Sequence, residues 1–304
     1  MAFLKLIRIQ NLLLIACMQY LVKYSLFHPF GVSTTLSNFE FILLVIATVC
    51  IAAGGNIIND INDVSIDLIN KPHKVFVGKS ISEKIAHTLY LILTIIGVGL
   101  GFYLSNSLGK PGFAAIFIII SALLYIYATY LKSILLIGNI VISFLVSLSI
   151  IIVALFDLMP STTLSNQSMQ SIVFRIVLEY AFFAFLINFI REIVKDIQDI
   201  DGDKNGDINS LPITIGRKRA GFIVFGLGIL TVLIVLLYMY THLYNIQLAM
   251  LYFLFFIVAP LLYFCIKSWT AETKKELAFL SGLLKLIMFF GICSILLYKY
   301  VIIN

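Results

Sequence analysis

Asn56-Ile57-Ile58-Asn59-Asp60-Ile61-Asn62-Asp63-Val64-Ser65-Ile66-Asp67 closes an apolar run that begins near residue 38. Asp60, Asp63 and Asp67 fall at i, i+3 and i+7, which on a helix puts them on one face. The spacing returns 136 residues later at Asp196, Asp199 and Asp203, within Arg191-Glu192-Ile193-Val194-Lys195-Asp196-Ile197-Gln198-Asp199-Ile200-Asp201-Gly202-Asp203. Three carboxylates on one face repel one another unless positive charge sits among them. One such cluster reads as a solvated acidic loop. Two in so apolar a chain point to one shared divalent-cation site, because clustered hard oxygen donors suit Mg²⁺ or Ca²⁺.

The surroundings of these stretches decide the fold class. Of 304 residues, 61% are hydrophobic and 12% charged, whereas a soluble domain is about half apolar and about a quarter charged. The chain therefore reads as an all-α, polytopic membrane bundle, organised as a single domain over 1–304. Nine apolar segments are long enough to span, at approximately 4–24, 38–58, 82–105, 113–130, 134–156, 171–194, 219–241, 246–268 and 277–301, given about 20 residues per crossing. The first is not read as a cleaved signal peptide, because its apolar run continues through Leu21 without a small-residue cleavage pattern.

Charge is concentrated. Of 15 acidic residues, eight are aspartates in or beside the two stretches, counting Asp201 and Asp207. Of 21 basic residues, 16 fall on one side if the nine segments alternate. Lysine and arginine mark the cytoplasmic side, so both acidic stretches, in polar loops near 59–81 and 195–218, are expected there. The active-site cavity would then open to the cytoplasm, in the cytoplasmic membrane if the source is prokaryotic. The basic residues are dispersed and carry no aromatic-basic motif, so nucleic-acid binding is not indicated. Cys17, Cys50, Cys265 and Cys293 lie in apolar segments without metal-ligand or redox spacing and read as small buried hydrophobes.

Each acidic stretch starts at the cytoplasmic end of a spanning helix, with Lys71, Lys74, Arg191 and Lys195 close in sequence. Carboxylates and cations at one site make sense around a phosphate. Carboxylates hold Mg²⁺, Mg²⁺ holds phosphate oxygens, and lysine or arginine covers the remaining charge. A membrane transporter is the rival class. Transporter sites, however, lie near the midplane, often on broken helices, and these carboxylates lie at helix ends.

These residues resemble the UbiA-type intramembrane prenyltransferases. Asn59, Asp63 and Asp67 fit that family's Asn-x-x-x-Asp-x-x-x-Asp motif, and Asp199 and Asp203 fit its Asp-x-x-x-Asp motif. Asp60 and Asp196 extend each motif as in many members. The likeness runs through Arg8, Asn11, Tyr127, Lys132, Gly138, Asn139, Leu211-Pro212-Ile213, Lys285, Met288 and Gly291. It implies Mg²⁺ held by Asp60, Asp63, Asp67, Asp196, Asp199 and Asp203. It also implies a catalytic set of Asn59, Asp63, Asp67, Asp199 and Asp203, and adds Arg8, Asn11, Asn56 and Lys132 to the phosphate-binding residues. The implied reaction ionises a polyprenyl diphosphate donor and captures the allylic cation with a lipid or aromatic acceptor, among membrane lipids. The segment from Arg191 to Gly202, with Leu211-Pro212-Ile213, looks like the branch that makes digeranylgeranylglyceryl phosphate. Val194-Lys195-Asp196 departs from the tyrosine-bearing motif of the ubiquinone branch, and Val75-Phe76 replaces a proline and an aliphatic residue after Lys74. Geranylgeranylglyceryl phosphate is thus the expected acceptor, with a quinone precursor such as 4-hydroxybenzoate or 1,4-dihydroxy-2-naphthoate as the alternative.

Overall fold

Hydrocarbon offers no partner to a backbone N–H or C=O, so apolar runs of this length fold as helices, which satisfy both within one segment. The computed structural model describes residues 2–303. In chain order its α-helices are α1 (Ala2–Leu6), α2 (Ile9–Leu21), α3 (Asn38–Asn62), α4 (Val64–Asn70), α5 (Glu83–Ser107), α6 (Ala114–Thr129), α7 (Ile137–Val153), α8 (Gln167–Asn205), α9 (Leu211–Ile215), α10 (Arg217–Tyr238), α11 (Gln247–Phe253), α12 (Ala259–Thr270), α13 (Lys274–Cys293) and α14 (Leu297–Ile303). Short π-helical turns prolong α2, α7 and α10 and join α11 to α12. No β-strand occurs among the described residues.

Among the described residues, eight helices rather than nine are long and apolar enough to cross a membrane: Asn38–Asn62, Glu83–Ser107, Pro111–Thr129, Ile137–Ser161, Gln167–Asn205, Arg217–Leu243, Gln247–Thr270 and Lys274–Tyr300. The segment expected at 4–24 is helical but interrupted. Arg8 takes a left-handed conformation (φ 54°, ψ 53°) that separates α1 from α2. Gln10, Asn11, Gln19 and Lys23 dilute the apolar character of the helix beyond this break. The two acidic stretches also differ from the loops expected of them. The backbone is helical to Asn62, again over Val64–Asn70, and to Asn205. Once a helix is nucleated, each further residue gains a hydrogen bond, so it continues into polar sequence.

Helix α8 is the spine of the bundle. Its first half packs with α2, α3, α6 and α7 around Phe27, Phe41, Phe117 and Phe156. Its second half packs with α10, α12 and α13 around Val224, Leu261, Phe264 and Leu284. Glycines let α5 approach closely: a Cβ at Gly97 would lie 2.5 Å from Ile51 Cγ1, and one at Gly101 would lie 2.2 Å from Phe117 Cδ2. Small residues at such crossings are how membrane helices gain contact without a hydrophobic drive between them.

At the end of the bundle away from the aspartates, a buried ion pair ties the π-helical extension of α2 to that of α7. Lys23 Nζ donates to Asp157 Oδ2 and to the Leu36 carbonyl, both at 2.8 Å. Asp157 Oδ1 accepts from the Leu36 N–H at 2.7 Å. The two side chains are 1% and 0% exposed, so each charge depends on the other and on these backbone groups.

Candidate active site

The first motif is not one straight helix. Asp60 lies in the last turn of α3, and Asp63 is the junction between α3 and α4, at φ −92° and ψ 2°. Asp67 lies in the first turn of α4. Helical hydrogen bonds persist across the bend, from Asp63 N to Asn59 O at 2.9 Å and from Asp67 N to Asp63 O at 2.8 Å. The second motif lies wholly within α8, so Asp196, Asp199 and Asp203 do share one face.

Most of these carboxylates meet a cation or an amide. Arg8 donates to Asp60 at 2.7 Å, aimed there by the left-handed break that precedes α2. Non-glycine residues in that conformation cluster at functional sites. Lys132 pairs with Asp63 and Lys71 pairs with Asp199. Asn59 Nδ2 donates to Asp63 Oδ2 at 2.6 Å, and Asn139 Nδ2 to Asp196 Oδ2 at 2.8 Å. Burial pushes the Asp67 carboxyl up to about 6; the charges of Asp63, Asp60 and Asp199 add to this and Lys71 opposes it. The two motifs are therefore neighbours.

What holds the motifs together is a contact the aspartate spacing does not reveal. Asn70, the last residue of α4, donates to the Asp199 carbonyl at 2.8 Å and accepts from the Gly202 N–H at 2.9 Å. Gly202 is required by this closeness: a Cβ there would sit 2.3 Å from Asn70 Nδ2 and 2.8 Å from the Ile66 carbonyl oxygen. Glu192 is a second omission. It accepts from Lys195 at 2.7 Å and from Arg191 at 3.4 Å. Its signal was present, since Glu192 precedes Asp196 by four residues and extends the same stripe by one turn.

Two cavities adjoin this cluster. One, of about 1120 Å³ including its open mouth, is lined by Arg8, Asn56, Asn59, Tyr127, Glu192 and Lys195 above apolar residues of α3, α6 and α7. The other, of about 1270 Å³ including its mouth, runs between α2, α7, α8, α10 and α13, with Lys285 at its polar end. Asn11, Asn188 and Arg191 line both. Arg191 Nε also donates to the Ser281 carbonyl at 3.3 Å, one helical turn from Lys285 on α13.

The sequence-predicted residues thus separate into groups. Asp60, Asp63, Asp199, Lys71, Lys132 and Arg8 form cross-element pairs. Asn59, Asp67, Asp196 and Asp203 complete the same cluster. Asn56 donates to the Ile7 carbonyl at 3.0 Å and so fixes the turn before Arg8. Arg191, Lys195 and Asn11 stand at the cavities. Lys74 is not brought in: it is exposed on the turn after α4 and makes no ion pair among the described residues.

No three His, Cys, Asp or Glu side chains among the described residues form a ready-made metal cluster. The donor chemistry nonetheless fits Mg²⁺. The oxygens are hard carboxylates, Asp67 makes no ion pair among the described residues, and Mg²⁺ is usually held by about one or two carboxylates plus substrate phosphate oxygens rather than by a protein cage.

The sequence matches the profile of the UbiA prenyltransferase family over residues 15–293. It is 30% identical over 274 residues to the digeranylgeranylglyceryl phosphate synthase of Korarchaeum cryptofilum (strain OPF8), covering 87% of this chain and 88% of that one. A solved structure of a digeranylgeranylglyceryl phosphate synthase superposes with TM-score 0.61 at 24% identity, over 98% of this chain and 97% of the other. A UbiA homolog from Archaeoglobus fulgidus bound to DMAPP and Mg²⁺ superposes with TM-score 0.56 at 15% identity, over 97% and 99%. At these identities the structural likenesses concern the fold.

Proposed function

Since the chain belongs to the UbiA prenyltransferase family, we propose that it transfers a polyprenyl group from its diphosphate to a glyceryl phosphate lipid, geranylgeranylglyceryl phosphate in the first instance. The observation that carries this reading is the pair of apolar cavities meeting at Asn11, Asn188 and Arg191. Joining two isoprenoid lipids needs room for two tails, whereas prenylating a small aromatic ring needs room for one. The Korarchaeum relative supports the same acceptor, and the Archaeoglobus homolog supports a prenyl diphosphate donor with Mg²⁺. Family membership sets the transporter reading aside.

In this reading Asp63, Asp67, Asp199 and Asp203 hold Mg²⁺, while Arg8 and Asn139 orient Asp60 and Asp196 beside them. Bound Mg²⁺ supplies charge neutralisation for the leaving diphosphate. Lys71, Lys132 and Arg8 cover the phosphate oxygens as negative charge builds there, the stage at which a fixed cation is most effective. The allylic C–O bond of the donor breaks with its electron pair on the diphosphate. An ether bond forms to the acceptor hydroxyl, whose proton passes to the released diphosphate. The apolar walls keep water from the cation. Arg191, with Lys285, binds the acceptor phosphate, to which arginine can donate two parallel hydrogen bonds. The basic-residue asymmetry supports a cytoplasmic position for the aspartate end of the bundle.

The test uses purified protein in detergent with Mg²⁺ and geranylgeranyl diphosphate. Geranylgeranylglyceryl phosphate, 4-hydroxybenzoate and 1,4-dihydroxy-2-naphthoate are offered separately, and products are identified by mass. Prenylation of the lipid phosphate is expected. Efficient prenylation of either aromatic compound, with none of the lipid, would refute the acceptor and leave the prenyltransferase standing.

A further inference from the structure

The cavity headed by Arg191 and Lys285 does not run the length of the bundle. It ends at Tyr180, Tyr238, Phe253 and Ser294, which also line a further cavity beyond it. Glu179, on the same turn as Tyr180, lines both spaces as well, and the outer cavity continues along α8 through Ile176 and Arg175, of which Arg175 is 74% exposed. The two spaces are therefore collinear along one stripe of α8 and divided by a partition. The partition is pinned by hydrogen bonds: Tyr180 Oη lies 2.7 Å from Ser294 Oγ, joining α8 to the residue after α13, and Tyr238 Oη lies 3.3 Å from Tyr298 Oη. At the other end α8 and α13 are pinned by Arg191 and the Ser281 carbonyl. The chamber has a fixed head, a fixed floor beside Glu179 and largely apolar walls between them.

Its depth can be read from the helix. Arg191 and Tyr180 are separated by eleven residues of α8, a rise of about 17 Å. An isoprene unit adds four chain bonds, about 5 Å when extended. The chamber thus admits about three extended units, so the fourth unit of a 20-carbon tail reaches the tyrosines. None of the motif aspartates or asparagines lines it, whereas Asn56 and Asn59 of the first motif rim the other cavity. We infer that the chamber between Arg191 and Tyr180 holds the tail of the glyceryl phosphate acceptor, and that the Tyr180–Ser294 and Tyr238–Tyr298 contacts form its length gauge. This rests on the acceptor reading above.

The gauge can be moved in both directions. Tyr180→Ala opens the partition into the outer cavity. Gly291→Leu raises the floor by one turn: Gly291 lines the chamber, and a Cβ there meets nothing within 4 Å, so the added side chain fills empty space and leucine favours the helix. Glyceryl phosphate acceptors with tails of 15, 20 and 25 carbons would be compared by kcat/KM, with donor length held constant and then varied. Tyr180→Ala should raise the ratio of 25- to 20-carbon acceptors at least tenfold. Gly291→Leu should lower the ratio of 20- to 15-carbon acceptors by a similar factor, with the 15-carbon rate retained. An unchanged acceptor profile in both variants, while each still turns over a shorter acceptor, would overturn the gauge. A shift in donor preference instead would assign the chamber to the donor and equally overturn it. Failure of the unmodified protein to prenylate any glyceryl phosphate lipid would overturn the acceptor reading first and the gauge with it.

Discussion

Gly202→Ala should uncouple the two acidic motifs without unfolding the bundle. The new Cβ would lie 2.3 Å from Asn70 Nδ2, 2.6 Å from Asn70 Cγ and 2.8 Å from the Ile66 carbonyl oxygen. Asn70 must swing away, which removes its bonds to the Asp199 carbonyl and from the Gly202 N–H, worth about 0.5–1.5 kcal/mol each. The Ile66 carbonyl is backbone, so α4 must also shift, at the roughly 1–3 kcal/mol typical of overpacking. Alanine returns about 1 kcal/mol of helix propensity. The net of about 1–5 kcal/mol falls on the α4–α8 contact, because α4 packs on little else. Detachment of α4 carries Asp67 and Lys71 away from Asp199. The assays are the Mg²⁺ concentration for half-maximal prenyl transfer, which should rise at least tenfold, and tryptic cleavage after Lys74, which should accelerate. Gly206→Ala is the internal control, because its close contact is only with the Ile66 side chain, at 2.6 Å, and a side chain can move. Adding Asn70→Ala to Gly202→Ala should cost little more, since the two residues act through one contact. Wild-type Mg²⁺ dependence and tryptic resistance in Gly202→Ala would refute the reasoning.

Asp63→Ala or Asp199→Ala should abolish turnover while the protein remains folded by size exclusion, and EDTA should inactivate the unmodified enzyme reversibly, with Mg²⁺ restoring it. Because the Asp67 carboxyl is raised to about 6, its proton competes with metal below that value, so the half-maximal Mg²⁺ concentration should climb as pH falls through about 6; Asp67→Asn should make that climb shallower. Arg191→Gln removes charge-assisted hydrogen bonds worth about 1.5–3 kcal/mol, so the acceptor KM should rise about tenfold or more and the donor KM should barely move; the reverse pattern would place Arg191 on the donor. Lys23→Met should lower stability by about 3–5 kcal/mol by stranding a buried Asp157, read by thermal unfolding in detergent, and Lys23→Met with Asp157→Leu should regain most of it; a neutral single variant would mean that Asp157 is not buried as a charge.

The sequence announced the membrane bundle and the two motifs because both are periodic: long apolar runs, and carboxylates at helical spacing. It misplaced features that depend on how segments meet. The loops inferred at 59–81 and 195–218 are largely helix near the motifs, because polar residues that end an apolar run do not by themselves end a helix. The first segment had the length of a span, but its break turns on the backbone of Arg8, which carries no compositional sign. Lys71 and Lys74 looked equivalent at three residues' separation, yet only Lys71 reaches a carboxylate, since the chain turns away at Pro72. Asn70 and Gly202 were invisible as partners because their relation is a contact across 132 residues. Glu192 alone was recoverable, by extending the stripe one turn backward.

The Lys23–Asp157 pair has a consequence for biogenesis. Its two members are 134 residues apart in the chain. At about 5–20 residues per second, the aspartate emerges roughly 7–27 seconds after the lysine. During that interval the early helix carries an unmatched cation, at a cost of about 2.5–3.5 kcal/mol if it sits at depth. The segment that carries Lys23 is then seated late, waiting at the membrane surface until the turn after α7 arrives. Nascent chains arrested before Asp157 should leave Lys23 open to an aqueous amine reagent, and chains arrested well past it should not.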